Sequence, residues 1–254
     1  MRHTLRSGII AGVVALGALG LTVPRPALAQ SADEIIEQHL AATGGRDVLG
    51  KLTTRTATGT IRLTTPVGEL MGTIEVYSKK PNKQRTVIKL DLTTLGGGPI
   101  VTDQRFDGTT GYIVDPINGN RTVEGTQLDA MRSGSFPTPL LNYKELGASL
   151  ALSGREPIGG KEAFVMRFTP KAGPPVRMFI DTTTFMLIRT VITLNVPQLG
   201  GDIDQVVEFS DFRDVDGVKV PFVTKSTNSV QAITATMTSV KHNVDIEDAA
   251  FAKP

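Results

Sequence analysis

The stretch V-V-E-F-S-D-F-R-D-V-D-G-V-K-V-P-F, residues 206–222, is a β-hairpin that can be read from its residues. Asp216-Gly217 suits a tight turn because both residue types tolerate φ > 0 at little steric cost. Val218, Val220 and Phe222 then share one face of the second strand, as a two-residue period requires. Pro221 has no N–H to give to a ladder, so this strand is expected at a sheet edge or beside an irregularity. Nothing in the hairpin is a catalytic set.

Upstream, the same period begins at Thr53. Ala57, Gly59, Ile61 and Leu63 alternate with Thr58, Thr60, Arg62 and Thr64. Leu70, Gly72, Ile74 and Val76 alternate with Met71, Thr73, Glu75 and Tyr77. Thr86, Ile88, Leu90 and Leu92 alternate with Arg85, Val87, Lys89 and Asp91. Turns at Pro66-Val67-Gly68 and Pro81-Asn82 join these runs into an antiparallel meander with one apolar and one wet face. Short strands are expected over 100–106 and 112–114, and 116–120 is turn-rich. The second half returns to strands over 148–152, 163–169, 176–181 and 185–196. The last reads as buried on both faces, with Arg189 its single charge. A loop over 198–204 precedes the hairpin, strands over 223–230 and 233–244 follow it, and Phe251 anchors the terminal segment.

Two patches of helix interrupt this β pattern. Ser31 with Glu34 fits a capping box, Ile35, Ile36, His39 and Leu40 share one face, and Gly44-Gly45 ends the helix. A short helical turn over 47–51 follows. Residues 127–132 and 140–146 also read as helical, separated by Ser-Phe-Pro-Thr-Pro, and helices inserted between strands must cover a sheet face or its mouth. The fold class expected is therefore mainly β with some α, an incomplete antiparallel barrel or strongly curved sheet with an N-terminal helix and a mid-chain helical lid.

Arg2, His3 and Arg6 precede an apolar run over 8–23, then Pro24, Pro26 and Ala27-Leu28-Ala29. A positive start, a short apolar core and a small-x-small site describe a signal peptide, residues 1–29, cut after Ala29. The rival, an uncleaved anchor, suits the run less well because it is short for a ~20-residue span. Cleavage removes Arg2, Arg6 and Arg25 and no acid, which takes the balance of 27 Lys+Arg and 25 Asp+Glu to a net charge of −1. That balance carries no nucleic-acid signature. Residues 30–254 show no linker or composition break and are expected to form one domain. No cysteine is present, so the core alone must hold the exported chain.

Chemistry-bearing motifs are few. Past the signal segment only His39 and His242 remain, neither with metal-ligand spacing, and no metal or cofactor is expected. Gly96-Gly97-Gly98 lacks the Lys-Ser/Thr and helix of a phosphate loop and reads as a flexible rim loop. Asp211, Asp214, Asp216, Asp202 and Asp204 lack the spacing of a calcium loop and read as turn carboxylates. No G-x-S-x-G elbow occurs. What remains is apolar strand faces, which either fill an ordinary core or line a ligand cavity; the residues alone leave both open.

Several stretches together resemble the outer-membrane lipoprotein-sorting-like proteins, relatives of the periplasmic carrier LolA and its receptor LolB. They are A-D-E-I-I-E-Q-H-L-A-A-T-G-G, the T-x-T-G-T-I meander, M-F-I-D-T-T-T-F-M-L-I-R over 178–189 and F-S-D-F-R-D-V-D-G-V-K-V-P-F over 209–222. The resemblance spans most of residues 30–254. It implies a half-barrel closed by helices, with an apolar cavity for acyl chains, a lid at 127–146 and the glycine loop near the rim. It also implies a non-enzymatic periplasmic carrier whose partner is a lipid or acylated protein, with transient membrane contact and no nucleic acid. Cavity residues are then expected at Ile61, Leu63, Leu70, Ile74, Val76, Ile88, Leu90, Met178, Ile180 and Leu187. Two rival expectations are an envelope regulatory or protein-interaction module on the same fold, and a hydrolase using the Asp cluster.

Overall fold

The computed structural model describes residues 30–66, 68–93, 96–196 and 201–254. The expected signal segment and its cut after Ala29 lie outside the described residues, as do 198–200 of the loop expected before the hairpin. Among the described residues, three helices, α1 (Ala32–Thr43), α2 (Arg46–Lys51) and α3 (Gly125–Arg132), accompany thirteen strands. These are β1 (Thr54–Thr65), β2 (Gly68–Lys79), β3 (Lys83–Leu90), β4 (Ile100–Phe106), β5 (Gly111–Val114), β6 (Arg121–Val123) and β7 (Ser149–Ile158), then β8 (Lys161–Thr169), β9 (Val176–Asp181), β10 (Leu187–Val196), β11 (Gly201–Val215), β12 (Val218–Thr227) and β13 (Ala232–His242).

All thirteen form one sheet in the order β6-β5-β4-β3-β2-β1-β13-β12-β11-β10-β9-β8-β7. Every pair is antiparallel, and strands adjacent in the sheet are consecutive in sequence except where β1 meets β13. The sheet curls without closing, so β6 and β7 remain as its two edges. Glycines on the inner face permit the curl. A Cβ on Gly59 would lie 2.2 Å from the carbonyl oxygen of Thr236, and one on Gly72 would lie 1.9 Å from that of Lys89. Only glycine lets neighbouring backbones approach this closely at a bend.

The chain crosses from β6 at one edge to β7 at the other through residues 124–148, and this crossing is where the expected lid falls. α3 is the first of its expected helices. Residues 140–146 are not a helix; they hold a short 3-10 turn, Pro139–Leu141, and further turns. Tertiary contacts override the helical pattern there. Phe136 and Leu140 are buried in the core, Arg46 Nη1 donates to the Leu141 carbonyl at 2.7 Å, and the Tyr143 hydroxyl donates to Asp33 of α1. At its start, Asn82 Nδ2 donates to the Met131 carbonyl at 2.9 Å and Phe136 N–H to the Pro81 carbonyl at 2.9 Å. The segment is a strap fastened at both ends.

β10 also differs from expectation: its residues are mostly half-buried rather than buried on both faces. Its outer face is covered by charged side chains. Phe179 of β9 lies under the guanidinium groups of Arg177 and Arg189, at 5.8 and 6.0 Å from the ring centre, and Arg189 pairs with Glu208 at 2.6 Å. Long arginine stems shield apolar surface while the charge stays wet.

Candidate functional site: the inner face of the curled sheet

The two most specific sequence stretches do one job, which is to hold α1 across the inner face. In D-T-T-T-F, Asp181 Oδ1 accepts from the N–H groups of Thr183 and Thr184 at 2.9 and 2.8 Å, and Phe185 takes φ 55°. That turn presents the Phe185 carbonyl to His39 Nδ1 at 2.8 Å. A carbonyl only accepts, so Nδ1 carries the proton. Burial pushes the His39 pKa down, with the Phe185 bond acting against it, and the ring is held neutral. In the hairpin, Asp216 and Gly217 both take positive φ, at 54° and 79°, the paired values of a type I′ turn. The helix C-cap Gly44, φ 144°, lies so close to this turn that a Cβ there would meet the Gly217 carbonyl oxygen at 2.6 Å.

With α1, α2 and the strap in place, the inner face has two unlike halves. Over one half, Ile35, Ile36, Leu40, Leu49, Phe136 and Leu140 pack on Phe164, Met166, Phe168, Val218, Val220 and Phe222. Met178 and Ile180 are buried in this half, and Leu187 packs against it. Over the other half, Ile61 (1 % exposed) and Ile74 are buried with Ala235, while Val76, Ile88, Leu90, Ile233 and Met237 are only partly buried against them. α1 and α2 pack on the first half, whereas α3 contacts β10 and its Met131 Sδ lies 3.0 Å from where a Cβ on Gly111 of β5 would stand. Leu63 and Leu70 pair across β1 and β2 at the far end and are both half-exposed. The ten expected residues are thus divided: three in the covered core, five on the open half, two at its margin. The glycine loop borders that margin, where Thr93 and Pro99 line a 370 Å³ recess with Gly72 and Leu90.

Between the halves the sheet splits. β12 pairs with β13 only from Val223 to Thr227, although β12 starts at Val218. Pro221 supplies no N–H there, and β13 carries a bulge where Thr58 faces Ser239 but Gly59 faces Met237. The expected irregularity at Pro221 is present; β12 is nevertheless central, with β11 on its other side. Two cavities meet in the split. One, of 180 Å³, lies beneath α1, α2 and the strap and reaches Met186, Phe212 and His242. The other, of 240 Å³, runs along Ala57, Val76, Met237 and Val240 toward the open half. Arg55, Phe209, Val220 and Pro221 line both.

Arg55 and His242 are residues the sequence reading missed. Arg55 shares the parity of Ala57, Ile61 and Leu63, so a charge on an apolar face was the available signal. It pairs in register with His242 across β1 and β13. Burial pushes the Arg55 pKa down, and burial together with the Arg55 charge does the same to His242.

The acids do not assemble into a site. Asp211 pairs with Arg213 at 2.6 Å, Asp214 with Lys219 at 3.4 Å, and Asp204 accepts from Thr193 at 2.7 Å. Among the described residues no group of three His, Cys, Asp or Glu is placed to hold a metal ion, and no helix is long and apolar enough to cross a membrane.

No family model and no curated protein matches the chain. Solved structures do. A LolA superfamily protein from Nitrosomonas europaea is 14 % identical, covering 89 % of this chain and 99 % of that one, with TM-score 0.56. A DUF1329 family protein from Desulfovibrio piger is 14 % identical over 88 % and 98 %, TM-score 0.55. A domain described as an outer membrane lipoprotein-sorting protein from Vibrio parahaemolyticus is 13 % identical over 87 % and 95 %, TM-score 0.52. At these identities the likeness is one of fold, and the chain has the LolA-like fold.

Proposed function

We propose that this chain is a periplasmic binding or carrier protein, exported by residues 1–29, that holds a lipid or lipoprotein acyl chain against the open half of its inner face. The observation that carries this is the partly buried apolar face of Val76, Ile88, Leu90, Ile233 and Met237 around the buried Ile61, Ile74 and Ala235, which adjoins a 240 Å³ cavity along Val76 and Met237. The LolA-like fold supports the same reading. Each acyl methylene moved there from water contributes roughly 0.8 kcal/mol, enough for useful affinity from one chain. Leu63, Leu70 and the recess beside the glycine loop form the entry.

The test is uptake of a fluorescent acyl probe by the full chain, with Leu90→Glu as the partner variant. Leu90 is half-exposed, so glutamate is tolerated in the fold but places a charge in the acyl path. Uptake by the wild type and its loss in the folded variant is the expected result. Equal uptake by both would remove the open half as the site.

A further inference from the structure

We propose that Arg55 and His242 form an anion-recognition site in the split between β12 and β13. It receives the ionised head of an amphiphile, a carboxylate or a phosphate, whose tail runs along the open half. This rests on the acyl-binding reading above and names the chemical class of the ligand.

Four observations converge. Among the described residues, the charged or chargeable side chains lining the two cavities are Arg55, Lys219, His39 and His242, and no carboxylate lines either. Among the described residues, Arg55 is the one charged group in the wall of the cavity that leads toward the open half. Second, among the described residues Arg55 has no hydrogen-bond or ion-pair partner; its guanidinium carbon lies 5.6 Å from the centre of the Phe136 ring. A guanidinium cannot shed its proton, so this half-buried one carries an unpaired positive charge into the cavity wall.

Third, the His242 side chain is 2 % exposed and, among the described residues, neither ring nitrogen has a hydrogen-bond partner. Such an orphan is uncommon in a native interior and marks a place where a partner is missing. Asp216 Oδ2 is 3.4 Å from Nδ1, within ion-pair reach but not aligned as a hydrogen bond, and it sits on the exposed turn. Fourth, Arg55 and His242 are cross-strand neighbours, so a planar or tetrahedral oxyanion between them meets a forked donor and an imidazole N–H together. Arg55 from β1, His242 from β13, Lys219 from β12, His39 from α1 and Asp216 from the turn are the charged or titratable groups at this point. An arriving anion favours the protonated ring, so binding tightens as pH falls.

The experiment compares cis-parinaric acid with its methyl ester on the full chain, with lysophosphatidic acid as competitor. The acid is expected to bind more tightly than the ester. Arg55→Met should weaken the acid by about 10- to 100-fold, the range of a charge-assisted hydrogen bond, and leave the ester unchanged. His242→Gln should abolish the tightening of acid binding at low pH. Because Arg55→Met removes an unpaired, half-buried charge, the empty variant should melt no lower than the wild type; a large fall in melting temperature would make Arg55 a structural residue and overturn the proposal. Arg55→Gln serves as the second variant if the methionine chain does not fold. Equal affinity for acid and ester in the wild type overturns the anion site while leaving acyl binding intact. Binding of neither removes the acyl reading and this site with it. Tighter displacement by lysophosphatidic acid than by the fatty acid supports the site and assigns a phosphate head; the reverse supports it and assigns a carboxylate.

Discussion

Gly72→Ala is the smallest change that tests why the sheet curls. Gly72 faces inward on β2, opposite Ile61 of β1 and Leu90 of β3. A Cβ there would stand 1.9 Å from the Lys89 carbonyl oxygen, 2.9 Å from its carbon and 3.0 Å from Leu90 Cα. All three are backbone atoms, so no rotamer change relieves the clash and β2 and β3 must separate. Its φ is not in the left-handed region, so the cost is contact alone. Overpacking of this kind costs about 3 kcal/mol, the upper part of its usual range. For a chain of this size that lowers the melting temperature by about 6–12 °C. Thermal unfolding followed by far-UV circular dichroism reads it directly. Gly50→Ala is the control: it lies in α2, a Cβ there meets nothing within 4 Å, and alanine favours helix by up to about 1 kcal/mol. If Gly72→Ala melts within about 2 °C of the wild type, close backbone approach is not what sets the curvature.

Further perturbations probe other parts of the account. Asp103 is buried and bonded by Arg85 and Arg105 at 2.7 and 2.8 Å; Asp103→Asn should cost about 3 kcal/mol by stranding two cations, and urea unfolding measures it. Burial raises the Asp103 pKa, but the bonds from Arg85 and Arg105 outweigh it and hold it below the usual range, so this stabilisation is lost only at strongly acid pH. The histidines act in a higher window. Both are depressed in the fold from the ordinary 6.5, so the unfolded chain takes up protons first and stability falls as pH drops below about 6.5. Melting curves at pH 7.5 and 5.0 should show that fall, and His39→Gln combined with His242→Gln should flatten it.

Much of the architecture was legible because local signals agree with tertiary demand. The Ser31–Glu34 box is present, with Ser31 N–H donating to Glu34 Oε2 at 2.7 Å and Glu34 N–H to Ser31 Oγ at 3.2 Å. The strand at Val176–Asp181 and the Asp216-Gly217 turn also stand as read. Residues 140–146 misled because Leu140, Tyr143 and Leu146 have helical spacing, whereas the strap between two sheet edges spends Leu140 and Tyr143 on contacts with the core and α1. β6 was missed because it is three residues long and lies at an edge.

The site was legible only in part. Alternation identified which residues face inward, but Met178 and Ile180 differ from Ile88 and Leu90 only in what packs above them, and that is a property of topology. The position of Arg55 was readable from its parity. Its pairing with His242 depends on β1 meeting β13, a contact between opposite ends of the chain.

The most direct test of the central claim is mass spectrometry of organic extracts from the protein recovered from its cell envelope without detergent. A stoichiometric anionic lipid or acylated peptide, absent from Leu90→Glu recovered in the same way, is the predicted result. A clean wild-type protein that also fails to take up cis-parinaric acid or its ester would contradict it and leave the open half as a surface for a protein partner.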